Sequence, residues 1–287
     1  MPTVAVVTAS SNSGAAAVEK LLLSGKAQVR AAFRSESRAS SLKAKWGDSE
    51  LLEVVTGVDA ADPKTLGPVF EGADFGICVT PHADFAKDAE YTCNMVKAAS
   101  KAGAHVVFVG SWTVRAPETV IAKRFVPTEN LLKTLPTQWT SLRSGYFAGN
   151  YAALFHDEDV YFPEITVPPV DPADIGKVAA AICLDPDPAT HHAKYYDISG
   201  PENLKTSQIV HKVAAATGRN FNYHPVAVDN LQGPPEFLIE LLKDIHHNNG
   251  LPCSPLTMEL AKEHTDFDTY LSAHLSDFSS KPSADSS

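Results

Sequence analysis

Residues 6–18 read VVTASSNSGAAAV. A β-branched apolar run passes through a turn of small polar residues into an alanine-rich stretch, the pattern of a buried strand feeding a helix. A dinucleotide fingerprint carries three glycines at such a turn. One permits the tight bend, one lets backbone approach the phosphates, and one allows close helix–strand packing. The corresponding positions hold Ala9, Asn12 and Ala15, and the single glycine, Gly14, stands off that spacing. Alanine is an accepted third residue, and asparagine tolerates left-handed backbone. Ala9 places a methyl where none is usual. Thr8, Ser10, Ser11 and Ser13 supply hydroxyls, and a helix amino terminus attracts an anion in any case. An ordinary serine-capped strand–turn–helix fits the same residues.

Outward from this turn, strand-like and helix-like segments alternate. Strands are expected at Val4–Thr8, Gln28–Phe33, Leu52–Val55, Gly76–Thr80, His105–Gly110 and Trp139–Leu142. Helices are expected at Ala15–Leu23, Arg38–Lys45, Pro63–Phe70 and Asp84–Ala102, with another around Thr128–Lys133. Short apolar strands separated by helices indicate an α/β fold with a doubly wound parallel sheet, covered on both faces. Ligands then sit at the carboxyl ends of strands, which selects the loops after Thr8, Phe33, Thr80 and Gly110. VPPVDPADIGKVAAAICLDP (167–186) reads as a loop and a helix capped near Asp171–Asp174, and Tyr195–Ile198 as one more strand. Residues 1–200 are expected to form the nucleotide-binding domain, with 151–170 partly in the cleft or the second lobe. A smaller mixed lobe follows at 201–277, with a helix at Thr206–Thr217, a strand at Asn220–His224 and three further helices. FSSKPSADSS (278–287) reads as a disordered tail.

The 287 residues carry a net charge of −10 and no Lys/Arg block, which argues against a nucleic-acid partner. No apolar run is long enough for a membrane span, and the start, MPTVAVVTAS, lacks the basic region of a signal peptide. Cys78, Cys93, Cys183 and Cys253 are scattered without a C-x-x-C pair and read as reduced thiols. A cytoplasmic protein is expected. The adjacent pairs His191–His192 and His246–His247 lack zinc spacing, so no metal site is expected. No G-x-S-x-G elbow or P-loop occurs.

The second expected strand ends in AAFRSESR. An NAD-specific site would place an acidic residue there for the ribose diol, whereas Arg34 suits a 2′-phosphate. Ser35 can donate to the same group, and Arg38 stands at the start of the next helix. NADP(H) is therefore the expected cofactor, although both arginines would also fit an ordinary solvated surface. Asp59 and Ala60 end the third strand, where the adenine edge is contacted. Asp62 caps the helix that begins at Pro63.

The order of these pieces resembles the NmrA-like group of atypical short-chain dehydrogenases/reductases. It is carried by VTASSNSGA, AAFRSESR, GVDAADPKTLGPVFEGADFGICVTP, FVGS, TSLRSGYFAGNY, VDPADIGKVAA and YYDISGPENLK. TSLRSGYFAGN is similar to the family's T-x-L-R-x-x-x-F-x-x-N, and HTDFDTYLSAHLSDF to the closing helix of its NADPH-sensing member. The resemblance covers residues 3–278. It implies a Rossmann domain for NADP(H), a small second lobe, and a substrate cleft between them. Family members divide between reductases of quinones, phenylpropanoids or alkaloid-type molecules and regulators that bind the dinucleotide as a signal. Carried over by position, Thr8, Ser10, Ser11, Asn12, Ser13, Arg34, Arg38, Asp59, Ala60, Thr80 and Pro81 would line the cofactor. Ser111 and Tyr146 would flank its nicotinamide.

The chain departs from the family's catalytic K-x-x-x-E, because Phe125 stands four residues before Glu129. The Y-x-x-x-K pair of ordinary short-chain dehydrogenases is absent as well. Hydride transfer belongs to the cofactor, so the protein must position an acceptor and manage one proton. Candidate proton donors by placement are His82, Lys123, Tyr146 and His156; each also has a plain reading as a loop, surface or core residue. The first expectation is an NADP(H)-dependent reductase of a hydrophobic quinone, enone or iminium. The alternatives are a non-catalytic dinucleotide sensor and, behind it, a cyclase-type enzyme using the same cleft. A small-molecule substrate is the expected partner, and the reading leaves room for a homodimer.

Overall fold

The computed structural model describes residues 1–81, 84–231, 236–247 and 251–279. Strands β1 (Thr3–Val7), β2 (Gln28–Ala32), β3 (Leu52–Val55), β4 (Phe75–Val79), β5 (His105–Ser111) and β6 (Trp139–Ser144) alternate with helices. Two short strands, β7 (Asp159–Phe162) and β8 (Thr166–Val167), leave the main sheet, and β9 (Lys194–Ile198) returns to it. The seven-stranded sheet runs β3–β2–β1–β4–β5–β6–β9, with every pair parallel. Strand order reverses at β1, the point where an open α/β sheet leaves a crevice beyond its carboxyl edge. This is the doubly wound, Rossmann-like architecture expected from the sequence.

The connecting helices are α1 (Asn12–Ser24), α2 (Glu36–Trp46), α3 (Pro63–Phe70), α4 (Asp88–Lys101), α5 (Val126–Leu132) and α6 (Pro172–Leu184). Strand alternation sorts the core between two faces. Val4 and Val6 of β1 pack with α1 and α6, whereas Ala5 and Val7 pack with α3 and α4. α6 lies directly on the start of α1. A Cβ on Gly176 would stand 2.1 Å from the Ser13 carbonyl oxygen, so only glycine permits that approach.

The rest of the chain adds β10 (Leu204–Lys205), α7 (Thr206–Thr217), β11 (Asn222–Pro225), α8 (Glu236–His247), α9 (Phe267–Ala273) and α10 (Leu275–Ser279). β8 pairs antiparallel with β10, and β7 pairs parallel with β11. A second core joins Tyr151, Phe155 and Phe162 to Leu242, Phe267 and Phe278. The second core thus gathers residues well before position 201, including two strands within 151–170, the stretch that the sequence assigns partly to cleft and lobe. Phe278, placed by the sequence in the tail, is buried against Phe155 and Phe267. All four cysteines are free. Among the described residues no helix is long and apolar enough to cross a membrane, and no group of ligating side chains could hold a metal.

Candidate functional site

The turn after β1 meets the demands of a glycine-rich loop by other means. α1 begins at Asn12 rather than Ala15, because Ser11 is its N-cap and accepts the Gly14 N–H on Oγ at 3.0 Å. Asn12 is consequently a helical residue, and the left-handed backbone expected there falls on Thr8, at φ 65°. The Thr8 carbonyl accepts from the Ser11 N–H at 3.0 Å and from the Ser11 hydroxyl at 2.8 Å. Gly14 stands where helix and turn cross closely, since a Cβ there would lie 2.4 Å from the Thr8 oxygen. Ala9 is buried, with its methyl in the core beneath α1 and α6, and is not on the cavity wall.

The N–H groups of Asn12 and Ser13 belong to the first turn of α1 and have no intrahelical acceptor, so they and the helix dipole favour an anion. The hydroxyl of Ser13 is not part of that site. It donates to the Pro172 carbonyl at 2.8 Å and ties α1 to α6. The Thr8 hydroxyl lies 4.0 Å from Met95 Sδ, and the exposed Ser10 is off the cavity wall.

Arg34 follows β2 with 73% of its side chain exposed, 4.0 Å from an Asp59 carboxylate oxygen. Ser35 precedes α2, with its hydroxyl 2.9 Å from that of Ser37, and Arg38 is exposed on the first turn. Asp59 and Ala60 form a fixed corner. Thr65 Oγ1 accepts the Asp59 N–H at 2.9 Å, and Asn94 donates to the Ala60 carbonyl at 3.1 Å. Sequence reading named neither Thr65 nor Asn94.

A cavity of about 1090 Å³ opens from the start of α1 across the carboxyl ends of β4, β5 and β6 to the second lobe. It brings together Ser11, Asn12, Ser13, Thr80, Ser111 and Tyr146. Thr80 is buried and donates to the Val109 carbonyl at 3.2 Å. Ser111 caps a short 3-10 turn, Trp112–Arg115. Tyr146 is 3% exposed, and burial raises its phenol pKa well above the usual range, so it stays protonated. Phe85 and the α8 residue Phe237, both on the wall, pack against each other at 5.1 Å between ring centres. Pro81 is half-buried and His156 half-exposed, both off the wall. His82 lies outside the described residues.

The cavity's cation is Arg124, one residue beyond the expected Lys123, which is exposed and off the wall. Arg124 donates through Nη2 and Nε to Asp88 Oδ2 at 2.6 and 3.1 Å, and both side chains are almost fully buried. Its guanidinium lies over the rings of Phe85 and Phe125. Phe125, standing at the family's lysine position, is itself on the wall. Glu129 is engaged elsewhere: Arg143 grips both its oxygens at 2.8 and 2.7 Å, and the Ser141 hydroxyl donates to one of them. Asp88 and the wall residue Ser144 were not singled out from sequence.

These residues fit a dinucleotide: free N–H donors at a helix start, exposed arginines at the next strand end, and open space beyond β4 and β5. Comparison with known proteins agrees. The sequence matches the NmrA-like family over residues 2–251. It is 24% identical over 243 residues to an NAD(P)H azoreductase of Xenophilus azovorans, covering 80% of this chain and 81% of that one. The fold superposes on an NADPH-dependent quinone oxidoreductase of Escherichia coli complexed with NADPH, with TM-score 0.79 and 19% identity, over 96% of this chain and 99% of that one. It also superposes on NmrA, a negative transcriptional regulator in complex with NAD, with TM-score 0.75 and 18% identity, over 95% of each chain. The chain belongs to the NmrA-like family.

Proposed function

We propose that this protein is an NADP(H)-dependent reductase acting on a hydrophobic, conjugated small molecule of the quinone, enone or iminium class. The carrying observation is the single cavity that joins the anion-binding start of α1 to an aromatic wall in the second lobe. Its volume of about 1090 Å³ stands at the top of the range of single-ligand pockets, roughly 300–1,000 Å³, which leaves room for a nicotinamide end with an acceptor beside it. The azoreductase and quinone oxidoreductase relatives support this substrate class.

Asn12 and Ser13 hold a pyrophosphate through backbone N–H groups, and Arg34 with Arg38 holds the 2′-phosphate at the sheet edge. Asp59 and Ala60, fixed by Thr65 and Asn94, border the adenine. The bound cofactor supplies the hydride. Phe125 and the Arg124–Asp88 pair line the acceptor side, and Phe85 with Phe237 restricts access of water. With phenylalanine at the lysine position and Tyr146 held protonated, the wall favours acceptors that take hydride without strong acid assistance.

The test is loss of reduced-nicotinamide absorbance with NADPH and a panel of quinones, azo dyes and unsaturated ketones. Turnover with NADPH, and slower turnover with NADH, is the expected result. Tight NADPH binding with no oxidation at high protein concentration overturns the reductase reading. That outcome favours a non-catalytic sensor, to which the absence of a lysine at position 125 points. A sensor would change its partner or oligomer on binding NADP(H).

A further inference from the structure

We propose that the Asp59 carboxylate competes with the 2′-phosphate for Arg34, which makes Asp59 a specificity-determining residue that moderates the preference for NADPH over NADH. The inference deepens the reading of Arg34 as the 2′-phosphate ligand and rests on it. It gives the Asp59 side chain a task separate from its backbone's place beside the adenine.

The backbone fixes the two residues against each other. Arg34 and Asp59 follow the adjacent parallel strands β2 and β3. The Phe33 N–H donates to the Val55 carbonyl at 2.8 Å, and past the end of β3 the Val58 N–H donates to the Phe33 carbonyl at 3.1 Å. Gly57, at φ 76°, makes the bend between these two bonds. Arg34 comes directly after Phe33 and Asp59 directly after Val58, so both side chains start from one pinned corner.

The carboxylate is pinned as well. Its Oδ1 accepts the Ala61 N–H at 3.0 Å. Thr65 Oγ1 holds the Asp59 N–H, and the Asp59 carbonyl accepts the Asp62 N–H at 2.9 Å. With Oδ1 tied down, Oδ2 is the oxygen left toward Arg34, 4.0 Å from Nη2. Arg34, with most of its side chain in solvent, is the partner able to move. The neighbouring Glu36 is taken up by Lys43 and the Thr56 hydroxyl instead.

A 2′-phosphate forms stronger, charge-assisted bonds to a guanidinium and wins Arg34. To do so it must displace the carboxylate and then stay near a negative charge that cannot swing away. NADH carries a hydroxyl at that position and meets neither cost. Asp59 therefore acts on NADPH and spares NADH.

The test is dinucleotide binding to the intact chain, followed by the fluorescence of the reduced nicotinamide. Asp59→Asn keeps the shape and an oxygen for the Ala61 N–H while removing the charge. It is expected to tighten NADPH about two- to fivefold, the range of an exposed ion pair, and to leave NADH unchanged. The gain should shrink in about 0.5 M NaCl, where exposed charges are screened, and should be mostly lost in an Arg34→Ala background. Asp62→Asn removes a nearby charge and keeps a good helix cap; it is expected to change neither affinity.

Unchanged or weaker NADPH binding in Asp59→Asn overturns the proposal. So does an equal gain for NADH, an equal gain in Asp62→Asn, or a full gain without Arg34. No turnover is needed for these readouts. NADPH that binds as described but is never oxidised defeats the reductase reading and leaves this one standing, whereas a chain that binds neither dinucleotide defeats both.

Discussion

Replacing Gly14 by alanine sets two effects of opposite sign against each other. Helix propensity favours alanine over glycine by about 1 kcal/mol, so an unobstructed helix would gain stability. At this position the added Cβ would stand 2.4 Å from the Thr8 carbonyl oxygen, 2.9 Å from Ser11 Oγ and 3.0 Å from Ala9 Cα. Carbon and carbonyl oxygen rest at about 3.3 Å or more, so the first turn of α1 must move away by about 1 Å. That movement pulls on three hydrogen bonds, Ser11 N–H and Ser11 Oγ–H to the Thr8 oxygen and Gly14 N–H to Ser11 Oγ. At about 1 kcal/mol each, less the propensity gain, the net destabilisation is about 2 kcal/mol. Tm should then fall by about 4–8 °C for a chain of this size, read by circular dichroism. NADPH affinity should drop at least about tenfold, because one good hydrogen bond is of that order and the Asn12 and Ser13 N–H groups move with the helix. A variant with equal or higher Tm and unchanged NADPH affinity would refute this account of the turn.

Arg34→Ala should weaken NADPH about five- to thirtyfold while leaving NADH nearly unaffected, an estimate reduced for the side chain's exposure and solvent screening; equal losses for both dinucleotides would mean that Arg34 does not meet the 2′-phosphate. Asp88→Asn removes the charge beneath Arg124 in a pair that is almost fully buried, and should destabilise by about 3 kcal/mol in chemical denaturation; a change under about 1 kcal/mol would contradict the assigned pairing. Burial, reinforced by His191 and His192, lowers the His105 pKa from 6.5 to about 4. The unfolded chain therefore binds a proton between those values that the folded one does not, and stability is lost as pH falls from about 6.5 towards 4. His105→Gln should flatten that part of the stability–pH profile, and an unchanged slope would assign it to other groups.

The sheet was legible because each strand is a β-branched or apolar run cut off by turn residues, and parallel strands buried on both faces show no competing polar phase. Boundaries were less so. The alanine run from Ala15 advertises a helix, but its start is fixed by Ser11 accepting the Gly14 N–H, a local bond that composition does not reveal. Six predicted residues meet in the cavity because each stands at or just past a strand's carboxyl end, where topology forces convergence. The pairing of Arg124 with Asp88 is not legible because the two lie 36 residues apart and meet only through tertiary packing. Lys123 and Arg124 differ by one position, and one position in a helical turn swings a side chain from the wall to solvent. Ser144 sits inside a recognised motif, yet nothing in a serine's identity shows that its hydroxyl will be buried without a partner among the described residues.

The turn itself shows why glycine spacing is an imperfect guide to this site. A phosphate-binding loop needs a reversal of the chain, a close crossing of turn and helix, and room for the helix to settle on its neighbours. Here Thr8 makes the reversal at φ 65°, a conformation that costs a non-glycine residue about 1 kcal/mol. Two bonds from Ser11 to its carbonyl offset that cost. Gly14 provides the crossing, and Gly176, far away in sequence, provides the room on α6. Alanine at position 9 is then tolerated, because its methyl turns into the core and not toward the anion. The requirements are spatial, and a chain can meet them at positions the fingerprint does not name. It follows that Thr8→Gly should relieve strain and still bind NADPH, whereas Ala9→Gly should remove a buried methyl and gain nothing in affinity. If Ala9→Gly instead tightened NADPH binding markedly, the alanine would be obstructing the phosphates, and this redistribution of roles would be wrong.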